Sequence, residues 1–160
     1  MIEYSKELYE KVDSIIEYYE KHDNFDFLLN IVKCMVEGIE FIDEKYFIIT
    51  KDEIKCFIKE AIKIWENDGS PEKLGKLNVE YTKKLSKIKP FKKILENEKE
   101  RAAMNCILCI LSNGHDDPRN QFVYDFIELQ INELEKLNVD EKNIKELLDK
   151  HFGEIIKIKE

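Results

Sequence analysis

The stretch "CILCILSNGHDDPRN", residues 106–120, decides between two readings of the whole chain. Two cysteines spaced as CxxC, then Gly114, His115, Asp116 and Asp117, have the residue types of a metal or redox centre. The same letters also spell the end of one helix and the start of the next. In a redox CxxC the reactive thiol opens a helix after a strand, where the helix N-terminus lowers its pKa. Cys106 and Cys109 instead lie among Ile107, Leu108, Ile110 and Leu111, in surroundings that raise a thiol pKa. A structural zinc site needs two further ligands. Cys34, Cys56 and His115 are available, but there is no second CxxC and no HxxxH. The grammar of a helix boundary fits better. Asn113-Gly114 is a helix stop, Asp117 before Pro118 is an N-cap, Asp116 suits the positive helix end, and His115 is left as a loop residue. Neither a metal nor a cofactor is expected.

Working outward, "AAMNCILCIL" (102–111) is the most apolar stretch of the chain, and a helix apolar on nearly all sides belongs at the centre of a fold. Around it the apolar residues recur at helical spacing. The first segment carries Leu8, Val12, Ile15, Ile16 and Tyr19 and closes near His22. A second, capped by Asp23 or Asn24, carries Phe27, Leu28, Ile31, Val32, Met35 and Ile39, with Gly38 placed for a close helix crossing. "EKYFIIT" (44–50) reads as a buried connector. Thr50 and Glu53 have capping-box spacing ahead of Ile54, Phe57, Ile58, Ala61, Ile62 and Trp65. Gly69 ends that helix, and Ser70-Pro71 opens another that carries Leu74, Leu77, Tyr81, Leu85 and Ile88 to Pro90. A fifth runs from Phe91 towards Asn113, a sixth from near Pro118 through Phe122, Val123, Phe126, Ile127, Ile131 and Leu134, and Asp140 caps a last one with Ile144, Leu147, Leu148 and Phe152. The expected fold is all-α: one domain over residues 1–160, a bundle of about seven helices.

Composition sets further bounds. With 160 residues, 5 glycines and 3 prolines, the chain is long enough for its own core and short of the punctuation that many tight turns need. A net charge of −8 argues against a nucleic-acid partner, whose phosphates call for a basic face. No apolar run approaches the roughly 20 residues of a membrane span, so no membrane partner is expected. The start, "MIEYSKELYEKVD", is acidic and amphipathic rather than basic and then apolar, which points to the cytosol. Its four cysteines, each flanked by apolar residues, are expected to be buried reduced thiols. No glycine-rich phosphate loop, HExxH, GxSxG or Glu-x-x-His occurs, so no catalytic residues are assigned.

Charge is unevenly spread. Residues 1–44 hold 12 acids and 4 bases, residues 45–99 hold 9 and 14, and residues 100–160 hold 13 and 8. In the first helix Glu3, Glu7, Glu10, Asp13, Glu17 and Glu20 follow at spacings of three or four, drawing one negative stripe along the exposed side. Asp23, Asp26, Glu37, Glu40, Asp43 and Glu44 extend it if the first two helices form an antiparallel hairpin. Such a stripe speeds and orients docking of a basic protein. His115 and Asp116 are further exposed candidates for a partner contact.

With this surface and fold class, "EAIKIWEND" (60–68) and "ERAAMNCILCILSNG" (100–114) give the chain a likeness to a known group. It resembles the small all-helical immunity proteins of bacterial polymorphic-toxin and contact-dependent inhibition systems. The two segments span about 24 residues, and the tail beyond Pro118 has no matching feature. The resemblance implies a cytoplasmic protein, not an enzyme, that binds and neutralises a cognate toxin domain, often a basic nuclease. The competing expectations are a general helical adaptor and a metal-dependent helical enzyme using Cys106, Cys109, His115 and Asp116.

Overall fold

Local signals at the helix ends account for most of the element boundaries. The computed structural model describes residues 2–22, 24–113 and 126–159. Among the described residues it holds eight α-helices and one short 3-10 turn: α1 (Lys6–Lys21), α2 (Phe25–Ile39), the turn Glu44–Tyr46, α3 (Lys51–Asn67), α4 (Pro71–Ile88), α5 (Phe91–Glu96), α6 (Glu98–Ile110), α7 (Phe126–Lys136) and α8 (Glu141–Lys159). Ser5, Asn24 and Ser70 accept the N–H groups of Leu8, Phe27 and Lys73, as N-caps do. Thr50 and Glu53 form the expected capping box. At the other end of α3, Gly69 takes a φ of +61°, and its N–H reaches back to the Ile64 carbonyl at 2.8 Å. Ser70 and Pro71 then open α4 as expected. The chemistry of "DDPRN" lies outside the described residues.

The fifth helix is two helices. Asn97 is extended (φ −97°, ψ 110°), closing α5 and capping α6 through its side chain, which accepts the Glu100 N–H at 3.0 Å. An asparagine that offers the backbone an alternative partner breaks a helix where no glycine or proline does. The connector 44–50 is also less buried than expected: Ile49 is inside, Tyr46, Phe47 and Ile48 are half-buried, and Glu44 and Lys45 are exposed. Ile88 keeps the apolar period of α4 but sits on its last turn, beyond the packed face, and is 59% exposed.

The core is built around α6, whose Ala102, Ala103, Met104, Cys106, Ile107, Cys109 and Ile110 are all buried. It packs against α2, α3, α5 and α7 and against the 3-10 turn. Its C-terminal end is fastened to the end of α3 by two buried hydrogen bonds. Trp65 Nε1–H donates to the Ile110 carbonyl at 2.9 Å, and Asn113 Nδ2–H donates to the Gly69 carbonyl at 2.5 Å. The segments 60–68 and 100–113 therefore meet at one place. Gly38 makes the expected close crossing: a Cβ there would stand 2.9 Å from Gln130 Oε1 on α7, and Gln130 Nε2–H donates to the Met35 carbonyl at 2.9 Å.

α1 does not pair with α2 as a hairpin. It packs chiefly on α8, and α2 packs on α8, α6, α3 and α7. Contact between α1 and α2 includes Tyr18 and Tyr19 against Phe27. The pairs Ile2–Asn138, Tyr4–Val139, Ser5–Glu141, Glu7–Lys145 and Lys11–Asp149 advance in the same direction along both segments, so α1 and α8 run parallel. Tyr4 O–H donates to the Val139 carbonyl at 2.7 Å, and the Tyr4 and Ser5 N–H groups donate to Glu135 at 2.6 Å and Glu141 at 2.5 Å. The start of the chain is thus tied to the turn between α7 and α8. Leu8, Val12, Ile15, Ile16 and Tyr19 are buried beneath α1, each contributing roughly 1.5–3 kcal/mol of hydrophobic stabilisation.

Candidate functional site

α1 is amphipathic because its apolar residues fall at 8, 12, 15, 16 and 19, which leaves the intervening acids on the opposite side. Glu3, Glu7, Glu10, Asp13, Glu17 and Glu20 are all exposed, and from Glu7 to Glu20 the stripe spans about 20 Å at 1.5 Å per residue. Glu7 is 3.7 Å from Lys145 and Glu10 is 3.9 Å from Lys6, loose surface pairs that each add at most about 1 kcal/mol. Among the described residues Glu3, Asp13 and Glu20 form no ion pair.

The proposed extension of the stripe divides into different environments, since the helical hairpin it depended on is not formed. Asp26 is exposed on the first turn of α2, next to the end of α1. Glu37 is half-buried and turned towards α8, where Lys150 Nζ lies at 2.9 and 3.0 Å and His151 Nε2 at 3.1 Å. Burial works against its charged form, but the Lys150 hydrogen bonds and the neighbouring His151 ring prevail and hold its carboxyl below the ordinary carboxylate value. Glu40, Asp43 and Glu44 are exposed where the chain leaves α2, and Asp43 caps the 3-10 turn by accepting the Lys45 N–H at 3.1 Å. Asp23, His115 and Asp116 lie outside the described residues.

The cysteines separate into two kinds. Cys34, Cys106 and Cys109 are buried, while Cys56 is exposed, against the expectation for it. Burial pushes the Cys34 and Cys109 thiols up to about 12 and the Cys106 thiol well above its usual value, so these are inert protonated groups at neutral pH. Among the described residues no group of three or more His, Cys, Asp or Glu side chains is placed to hold a metal ion.

Two features had not been drawn from the sequence. At the meeting of α2 and α8, His151 Nδ1 faces Asn30 Oδ1 at 3.1 Å, and Asn30 Nδ2–H donates to the His151 carbonyl at 3.0 Å. This brace sits just before Phe152, where φ −132° and ψ 15° kink α8, beside a cleft of about 520 Å³ that also touches Lys11 and Asp149. Two ion pairs flank the cleft: Lys11 with Asp149 at 3.3 Å, and Lys150 with Glu37 at 2.9 Å. The second feature is a row of exposed lysines on α3, Lys51, Lys55, Lys59 and Lys63, beside an apolar recess. Its signal was the four-residue spacing in "KDEIKCFIKEAIK" (51–63).

No family model, no characterised protein and no solved structure matches this chain. The reading of function therefore rests on its own surfaces. No helix among the described residues is long and apolar enough to cross a membrane.

Proposed function

We propose that the chain is an immunity-type binding protein, which neutralises a cognate basic toxin domain by holding it against the acidic face of α1. The single observation carrying this reading is the exposed stripe Glu7, Glu10, Asp13, Glu17 and Glu20 on a helix that buries Leu8, Val12, Ile15, Ile16 and Tyr19 on its other side, with exposed Glu3 just ahead of the Ser5 cap rather than on the helix as its spacing had suggested. A rigid row of carboxylates attracts and orients a basic partner without rearranging. Toxin domains that act on nucleic acid carry the basic surfaces such a row complements. As an inhibitor the protein needs no catalytic residue and no cofactor, and it would act in the cytoplasm where the toxin is met.

The test begins with the gene beside this one. A large secreted toxin encoded upstream would supply the partner, and co-expression should rescue growth and yield a stoichiometric complex of about nanomolar affinity. Charge reversal at Glu10, Glu17 and Asp26 to lysine should slow association at least about tenfold at low salt with little change in dissociation. An unchanged on-rate, or a complex indifferent to salt, refutes the α1 face as the docking surface.

A further inference from the structure

Along α3 the structure carries a groove whose chemistry is opposite to that of α1. Its floor is apolar: Ile39, Ile42 and Phe47 from the end of α2 and the connector, with Ile54, Ile58 and Ile62 from α3. Two adjoining recesses share Glu40, Lys55 and Ile58, so the floor is continuous, and the outer one encloses about 330 Å³. One lip is the lysine row at residues 51, 55, 59 and 63, about one helical turn apart, a band of positive charge about 18 Å long that winds roughly 120° around α3. Lys51, Lys55 and Lys59 form no ion pair among the described residues, and Lys63 has only Glu60 on its own helix at 3.6 Å. The opposite lip carries Glu40 and Glu44, which form no ion pair with the row.

We propose that this groove is a second docking surface, independent of α1, and that it receives an acidic amphipathic helix of about three turns from a protein partner. An apolar floor with one charged lip is what a helix fills when its apolar edge faces down and its acids lie to one side. Glu40 and Glu44 border the same floor as the lysines, and an anionic lipid surface laid across it would meet those acids as well as the row. A second copy of this chain does not supply the missing piece. Its most acidic helix, α1, has already buried Leu8, Val12, Ile15, Ile16 and Tyr19 in its own core, so it offers acids without a free apolar edge. Glu40 and Glu44 on the far lip fix the direction of the guest, because acids on that side are repelled.

The probe is a set of fluorescein-labelled peptides of about 18 residues, long enough to hold a helix. Each carries a leucine stripe at helical spacing and glutamates along one flank, placed in several registers. Anisotropy titrations against the full chain should find at least one register that binds in the micromolar range and weakens in salt. A scrambled peptide of the same composition should bind at least tenfold more weakly. The double variant Lys55→Glu with Lys59→Glu, which changes only exposed side chains, should lose at least tenfold, and Ile58→Ser should lose affinity at low and high salt alike. Circular dichroism confirms that each variant is folded. Binding by no peptide, equal binding of the scrambled one, or an intact affinity in the double variant overturns the proposal. So does lysine-dependent binding to phosphatidylglycerol vesicles in the absence of peptide binding, or a dimer in sedimentation that the double variant dissolves. None of these measurements involves the partner of α1, so the two surfaces stand or fall separately.

Discussion

Gly69 and Gly75 lie six residues apart, and replacing each by alanine should move stability in opposite directions. At Gly69 the backbone has a φ of +61°, a region that costs an L-residue about 1–2 kcal/mol. The new Cβ would also stand 3.0 Å from Asn113 Nδ2, 3.0 Å from Phe25 Cε2 and 3.1 Å from Trp65 Cε3. Trp65 is a buried ring at the junction of α3 and α6, while Phe25 is a more exposed ring at the start of α2, and overpacking against a fixed core ring costs about 1–3 kcal/mol. Moving Asn113 aside gives no relief, because its amide makes the buried bond to the Gly69 carbonyl. Gly69→Ala should therefore cost about 2–4 kcal/mol, with strain and crowding partly relieving one another. Gly75 is exposed in the interior of α4 with nothing within 4 Å of its Cβ position. Alanine there removes backbone freedom from the unfolded chain and should add about 0.5–1 kcal/mol. The assay is equilibrium urea unfolding followed by circular dichroism and by Trp65, the one tryptophan and part of the junction being perturbed. A Gly69→Ala protein within about 0.5 kcal/mol of the parent would refute the left-handed turn and the crowding around it, because strain of either kind exceeds that value.

Further outcomes follow from the core and its charged fringe. A thiol reagent should label Cys56 quickly and Cys34, Cys106 and Cys109 only on unfolding, giving one fast site and three slow ones; two or more fast sites would contradict the packing of α6. Trp65→Phe removes the donor to the Ile110 carbonyl and should cost about 1–3 kcal/mol in urea unfolding, and a neutral result would show that bond to be dispensable. Glu37, Glu53 and Glu141 are all held below the ordinary carboxylate value of 4.5. The causes are Lys150 and His151 for Glu37 against the effect of burial, Lys84 and Thr50 for Glu53, and Ser5 for Glu141. A depressed carboxylate contributes stability that is complete above 4.5 and lost as pH falls below it, so the melting temperature should drop on acidification from about pH 5 to pH 3. Glu141→Gln should lower the melting temperature at neutral pH and shrink that drop, and a melting curve indifferent to acid would exclude these pairings.

Much of the architecture was legible because its causes are local. Thr50 with Glu53, Ser70 with Pro71, and Gly69 act within one turn of the residues they organise, so their spelling in the sequence suffices. The apolar circumference of 102–111 likewise states its own central position. Two misses had signals that were present. Asn97 and Glu100 have capping spacing inside a segment with no glycine or proline, and Cys56 falls two residues after Ile54, off the buried series of Ile54, Ala61 and Trp65. The lysine row on α3 was hidden by counting charge over a whole segment instead of by helical turn. The pairing of α1 with α8 had no local signal at all, because it depends on two apolar faces more than a hundred residues apart. That is why the exposure of Glu7, Glu10, Asp13, Glu17 and Glu20 follows from their spacing alone, while Glu37 turned out to be a partner of Lys150 beside His151.

The parallel seating of the first helix on the last one has a consequence during synthesis. α1 leaves the ribosome well before α8, yet the surface that covers Leu8, Val12, Ile15 and Ile16 includes α8. At about 5–20 residues per second, those side chains wait roughly 7–27 s for their partner. Throughout that interval the nascent chain presents an apolar edge backed by the five acids of α1. Those acids would thus serve the unfinished protein before any partner meets them, keeping an uncovered helix in solution. A ribosome stalled ahead of α8 would hold a chain whose first helix has nowhere to dock.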